Sequence, residues 1–369
     1  MEISIKGYIT SKKSELYSDC ADSYAVNTEF HKFAISDGVS KSYFPKIWSD
    51  KLVHQYVSKK DWKDDEFTAE SQKEWQSKIN EIVSQPETKW FTKAQYDRKD
   101  SALATFVGLQ FLEEQGKWIA QALGDSFLFF VAKDTLKIEK QLSSKQEPIK
   151  FDNFPDYLSS IGDSHKGEKN SVKGEKMKEG TFFLMTDALA EWFLKDTEMA
   201  IDKLSHIHNQ EQFLVTIEDE RTAGRVYDDD SALLIINLVD NNQKEITYAD
   251  DFDVNYLADL TINQIKEIEE KKMQIVSTES LVEEINTEEA LNNNSTSIVV
   301  LAGDISTDLN TIEYNEEGLF ENDLENEVLV EDLEINEEPY LEENSSKVKA
   351  VVGKDITDNL AVKSIFDKF

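Results

Sequence analysis

At 369 residues the chain has room for one large domain or two small ones, and its formal net charge of −34 argues against generic binding to nucleic acid or anionic membrane, which would repel it. The charge is lopsided: residues 1–240 carry 42 Asp/Glu against 31 Lys/Arg, residues 241–369 carry 32 against 9, and all six Trp fall in the first part. A core is therefore expected within 1–240, and 241–369 is expected to be an acidic, largely disordered tail. Cys20 is the only cysteine, so an intramolecular disulfide is impossible and zinc-finger spacing is absent. No run approaches the ~20 apolar residues of a spanning helix, and the opening Met-Glu-Ile-Ser-Ile-Lys has no signal-peptide apolar region, so a cytoplasmic location is expected.

In chain order, Ile3 and Ile5, then Tyr24-Ala-Val26 and Phe33-Ala-Ile35, alternate as strands do. Pro45 opens a helix with Ile47, Trp48, Leu52, Val53 and Tyr56 on one face, and a second helix is predicted over 68–84, ending before Pro86. Residues 103–111 read as a strand, and 118–123 with 127–131 as a hairpin turning at Gly124-Asp125-Ser126. Lys, Ser and Gly dominate 143–180, predicting a long surface loop. A strand ending at Asp187 passes into a helix at 188–193, another helix spans 197–217, and 231–238 is the last strand. Strands followed by grouped helices favour α+β layers over a doubly wound sheet. Trp48, Trp118 and Trp192 lie on apolar faces and are assigned to the core, and His206 and His208, at i and i+2 on a helix, diverge too far to share a ligand. Beyond 240, 262–275 and 348–369 have apolar spacing suited to short docking segments.

Four aspartates adjoin short apolar runs: Phe33-Ala-Ile-Ser-Asp37-Gly38, Trp118-Ile-Ala-Gln-Ala-Leu-Gly-Asp125, Thr181-Phe-Phe-Leu-Met-Thr-Asp187, and Asp228-Asp-Asp-Ser-Ala-Leu-Leu-Ile-Ile236. If the runs are buried strands, an antiparallel sheet can gather the four carboxylates at one edge. Hard divalent cations take such oxygen ligands, and a pair of them activates water for hydrolysis. A single Asp at a strand end is ordinarily a turn former or helix cap. Three adjacent acids entering a buried strand are costly without cations, which favours a metal site.

Together with Asp22 in Ala-Asp-Ser-Tyr, these motifs stand in the order seen in metal-dependent protein phosphatases of type 2C, and the chain over 1–240 resembles the bacterial branch of that family. Residues 34–49 resemble its Asp-Gly lead into a helix, and Met-Thr-Asp-Ala-Leu-Ala-Glu-Trp-Phe-Leu (185–194) its second metal segment. The resemblance implies two antiparallel β-sheets packed as a sandwich with helices on both outer faces, and a binuclear Mn²⁺ or Mg²⁺ centre with a weaker third site. It implies that Asp37 bridges both metals, that the Gly38 carbonyl completes one shell, and that Asp187 and Asp228 bind the other metal. Asp22 would hold metal waters or ligate directly, and Asp125, Asp187 and Glu191 would frame the third site. The implied activity is phosphoprotein Ser/Thr phosphatase, with Asp37, Asp187 and Asp228 carrying catalysis through an activated bridging water. A phosphoprotein substrate, a cognate Ser/Thr kinase and a monomeric state belong to the same expectation. Tyr17 stands where many members have a phosphate-holding Arg, Ala21 where they have Glu or Gln, and Val39 where some have His. Lys12 and Lys13 are the candidate phosphate binders in place of that Arg. The same departures define an alternative, a catalytically weak or inactive pseudo-phosphatase acting as a phosphoprotein-binding module.

Overall fold

The structure is a computed structural model and describes residues 1–13, 15–63, 66–133, 137–151, 155–243, 245–250, 253–255, 259–270 and 273. The expectations of disorder over 274–369 and of docking at 348–369 lie outside the described residues.

The N-terminal alternation forms β1 (Glu2–Thr10), β2 (Ser23–Asn27) and β3 (Lys32–Ser36), followed by α1 (Pro45–Val57), α2 (Glu66–Ser84) and α3 (Trp90–Asp97). Then come β4 (Leu103–Ala104), β5 (Phe106–Leu112), β6 (Lys117–Leu123), β7 (Phe127–Ala132), β8 (Ile138–Leu142), β9 (Leu158–Ser159), β10 (Asn170–Lys176) and β11 (Gly180–Met185). Three helices follow, α4 (Asp187–Lys195), α5 (Thr197–Ser205) and α6 (Gln210–Thr222), and β12 (Ser231–Val239), β13 (Thr247–Tyr248) and β14 (Asp253–Val254) close the list. Residues 259–270 are helical.

Two sheets result. The first runs β13-β1-β12-β11-β7-β8 with β14 also on β1, and the second runs β10-β6-β5-β3-β2; a two-stranded β4-β9 pair stands beside them. Both are antiparallel except where β13 and β14 join β1 in parallel.

The sheets pack face to face because alternate residues of each strand are apolar on the inner side. Ile3, Ile5, Leu128, Phe130, Phe182, Leu184, Leu234 and Ile236 meet Tyr24, Phe33, Ile35, Leu109, Phe111 and Trp118 in one core. Phe182 sits at its centre, with ring centroids 4.6 Å from Phe130, 5.1 Å from Trp118 and 5.5 Å from Phe111.

The intervening residues of the same strands are apolar too. Phe127, Phe129, Val131, Phe183 and Met185 pack outward against Trp192, Phe193, Leu204, Phe213 and Ile217 of α4, α5 and α6. On the other face Ala25, Ala34 and Phe106 meet Trp48, Leu52, Val53, Phe67, Trp75 and Ile79 of α1 and α2. Burial on both faces explains why β7 reads as the unbroken run Phe-Leu-Phe-Phe-Val. The sandwich with helices on both outer faces is the expected architecture.

Several local expectations need correction. The single helix over 197–217 is two, α5 and α6, because Asn209 interrupts it and caps α6 by accepting from the Gln212 N–H at 2.9 Å. The loop over 143–180 contains β9 and β10, and the strand over 103–111 is broken at Thr105 between β4 and β5. The sheet also continues past residue 240, since β13 and β14 pair with β1.

Candidate metal centre

Strand register decides which acids meet. In the first sheet Thr10 pairs with Ser231, and Met185 pairs with both Leu233 and Phe127. The ends of β1 and β11 and the starts of β7 and β12 therefore share one edge, which places Asp125, Asp187 and the 228–230 acids together. In the second sheet Ser23 pairs with Ser36, so Asp22 and Asp37 lie side by side where β2 begins and β3 ends.

The two edges are sewn together through Thr105. Its hydroxyl lies 2.6 Å from that of Ser126, beside Asp125, and accepts from the Asp37 N–H at 3.2 Å, while its own N–H donates to the Asp37 carbonyl at 2.8 Å. The break between β4 and β5 at this residue thus serves the site.

Gly38 makes the approach possible. A Cβ there would lie 2.8 Å from the Ala21 carbonyl oxygen and 2.9 Å from that of Pro45, both backbone atoms. The Gly38 N–H donates to Ala21 O at 3.2 Å, locking the segment that carries Asp37 against the one that carries Asp22.

The electrostatics are those of acids forced together. Burial, then the charges of Asp22, Asp187, Asp125 and Asp229, raises the Asp37 carboxyl well above its ordinary range. Burial and Asp230 do the same to Asp22, and burial with Asp125 and Asp229 pushes Asp187 up to about 7. Asp230 is also raised, chiefly by burial, although it accepts from the Ala21 N–H at 2.8 Å and the Lys12 N–H at 3.0 Å.

Both carboxylate oxygens of Asp22 are buried without a hydrogen-bond partner. The Thr186 hydroxyl is near enough to draw the Asp22 carboxyl down but not placed to bond it; it accepts instead from the Ala232 N–H at 3.0 Å. Asp37 and Asp187 keep some exposure to solvent, so the group opens outward.

The three consecutive aspartates have different surroundings. Asp229 raises the carboxyls of Asp22, Asp37 and Asp187. Asp228 is exposed, accepting from the Lys13 N–H at 2.9 Å and lying 3.8 Å from Arg221. Sequence alone could not choose, because three consecutive acids look alike until the β1–β12 register fixes their directions.

Glu191, one turn into α4, lies close enough to help raise Asp187, and pairs with Lys195 at 3.0 Å. Lys12 reaches the cluster: its Nζ is 3.1 Å from Asp229 and donates to the Ser40 hydroxyl at 3.0 Å. Lys13 does not, since its Nζ donates to Glu218 at 2.7 Å on the surface.

Two residues were missed. Lys145, within the expected loop, lies 3.5 Å from Asp125 and is 14 % exposed. Arg221 is buried at the end of α6 and donates to the carbonyls of Ser11 and Asp229, bracing both segments. Neither lies in a motif; only the fold brings them in.

The donor set fits hard divalent cations. It is all oxygen, it carries more negative charge than Lys12 and Lys145 can offset, and it includes buried Asp22 oxygens that nothing in the described protein satisfies. Among the described residues no group of three or more His, Cys, Asp or Glu side chains is already arranged to hold an ion. The acids are gathered at one edge rather than closed around a point.

No protein-family model matches the chain, and neither does any curated protein. Solved structures do. PppA, a regulatory component of the type VI secretion system of Pseudomonas aeruginosa, matches at 13% identity and TM-score 0.44, over 64% of this chain and 98% of that one. The photosystem II phosphatase PBCP matches at 13% and 0.42, over 64% and 99%. The catalytic domain of the serine/threonine phosphatase PstP, solved with two manganese ions, matches at 12% and 0.41, over 64% and 100%. A likeness this distant assigns no role to any residue here, so the chemistry rests on the chain's own carboxylates.

Proposed function

We propose that this chain is a metal-dependent phosphoprotein Ser/Thr phosphatase. The observation that carries the reading is the edge cluster of Asp22, Asp37, Asp187 and Asp229, acids from both sheets, of which Asp22, Asp37 and Asp187 have carboxyls raised by burial and by their acidic neighbours, Asp229 among them. Such a group is unfavourable as it stands and becomes favourable once cations neutralise it.

Asp37 and Asp22 would hold cations from the second sheet, and Asp187 and Asp229 from the first, with Asp125 and Glu191 framing a weaker site beside Asp187. Mn²⁺ or Mg²⁺ bound there supplies Lewis acidity toward water and phosphoryl oxygens. Lys12 would meet the substrate phosphate. Its Nζ stands at the rim, held by Ser40, and loses part of its attraction to Asp229 when that carboxylate is engaged. Asp228 drops out of the proposed site in favour of Asp229, and Lys13 drops out of the phosphate site.

A second reading, a phosphoprotein-binding module without turnover, is favoured by one observation. The 17 position carries a tyrosine, and Arg221 is committed to bracing backbone, so no guanidinium is offered to phosphate by either.

Hydrolysis of a phosphothreonine peptide, with Mn²⁺, Mg²⁺ or chelator, separates the two. Turnover that needs the cation, disappears in Asp37→Asn, falls roughly 10–100-fold or more in Asp229→Asn and stays within about twofold in Asp228→Asn is the expected result. A silent wild type that still binds the peptide supports the second reading and sinks the first.

A further inference from the structure

The connection between β1 and β2, described at residues 11–13 and 15–22, carries Lys12 and ends at Asp22. Its inner side is fixed to the acidic edge through the N–H groups of Lys12, Lys13 and Ala21, which donate to Asp230, Asp228 and Asp230. Arg221 adds a bond to the Ser11 carbonyl at 3.0 Å. Within the connection, Glu15 N–H bonds Lys12 O, and the Asp19 and Cys20 N–H groups bond Leu16 O and Tyr17 O. The connection is thus a stiff piece whose position sets both Lys12 and Asp22.

Its outer side meets the segment beyond residue 240. The Gln264 side-chain oxygen accepts from the Tyr17 N–H at 2.8 Å, across 247 residues of sequence. Burial, then the charge of Glu267 one turn on, raises the Tyr17 phenol, so the helix over 259–270 lies along that residue. The helix is anchored: Leu260 packs on the core between the sheets, and Asn255 bonds Gly7 O through both its backbone N–H and its side chain at 3.2 Å.

We infer that the helix over 259–270 clamps the 11–22 connection from outside, and that Gln264 is a positioning residue for Lys12 and Asp22. The amide of Tyr17 has the Gln264 side-chain oxygen as its acceptor, at 2.8 Å. That bond ties the outer side of the connection to the helix, and Lys12 and Asp22 move with the connection. The consequence for phosphate handling rests on the phosphatase reading; the consequence for order in 11–22 does not.

The test uses the full-length chain with Gln264→Leu, which removes the acceptor, and Gln264→Glu, which keeps one at the same reach. Amide hydrogen exchange over 11–20 and Mn²⁺ affinity followed by tryptophan fluorescence are read in every variant, with KM and kcat for a phosphothreonine peptide where there is turnover. For Gln264→Leu the expected result is exchange over 11–20 faster by roughly fivefold, as loss of one hydrogen bond implies, with weaker Mn²⁺ binding and KM raised more than kcat is lowered. Gln264→Glu restores all three. Unchanged exchange over 11–20 in Gln264→Leu overturns the inference, and so does acceleration spread evenly over the first sheet. A wild type without turnover defeats the phosphatase reading alone, since exchange and metal affinity still decide the clamp.

Discussion

At the scale of single residues, the raised carboxyls of the edge cluster are a statement about stability as well as chemistry. Asp187 is pushed from 3.8 up to about 7 by burial and by its acidic neighbours. Below 3.8 it is protonated in both the folded and the unfolded chain. Above 3.8 the unfolded chain ionises freely while the folded one resists until about 7, so the unfolded state is favoured progressively across that window. Metal-free protein is therefore expected to lose on the order of a few kcal/mol between about pH 4 and 7. Saturating Mn²⁺ is expected to abolish the loss. Melting temperatures in chelator at pH 5 and pH 7.5 read this directly, with Asp187→Asn predicted to flatten the dependence and to be the more stable at the higher pH. An equally steep loss in Asp187→Asn would remove this carboxyl as the cause. The sequence made Asp22, Asp37, Asp125 and Asp187 legible because each adjoins an apolar run or a small-residue turn. It could not separate Asp228 from Asp229, which differ only in which way a strand leaves its turn.

At the scale of elements, the site is a consequence of how strands end. The β3–α1 junction must bring Asp37 against Asp22 while the chain turns toward Pro45, and only a residue without a side chain fits between Ala21 O and Pro45 O. Gly38→Ala is predicted to cost roughly 1–3 kcal/mol, because both obstructing atoms are backbone and nothing flexible can give way. Urea denaturation measures it; a midpoint equal to wild type would mean that the junction is looser than its contacts imply. The strands and helices with strong apolar patterns, β3, β7, β11, β12, α1 and α4, could be read from the sequence. Those without such a pattern could not. β10 is largely polar and held by its pairing with β6, and α3 buries no side chain, so no periodicity announced either. The division of 197–217 into α5 and α6 turned on a cap at Asn209, a local hydrogen bond that competes with helix continuation.

At the scale of the whole molecule, paired backbone extends beyond the Trp-rich part of the chain, since β13 and β14 join β1. The fall in Trp content and the rise in acidity after residue 240 describe the chain's average character, whereas a β-strand needs only a backbone edge to pair with. β1 offers that edge: one side is covered by β12, and the other receives β13 at Glu2–Ile3 and β14 at Lys6–Gly7. The Tyr24 hydroxyl ties Asn255 to the second sheet, accepting from its N–H at 2.9 Å and donating to its carbonyl, so the segment after 240 bridges both layers. A chain ending at 240 would leave β1 as an open edge and remove the contact of Leu260 with the inter-sheet core. It is predicted to melt at a lower temperature than a chain ending at 273 and to self-associate at concentrations where the longer chain does not. Calorimetry with size-exclusion chromatography on the two truncations checks both parts. Coincident melting curves would mean that the added strands lie on the sheet without supporting it, and that 1–240 is sufficient as the folded unit.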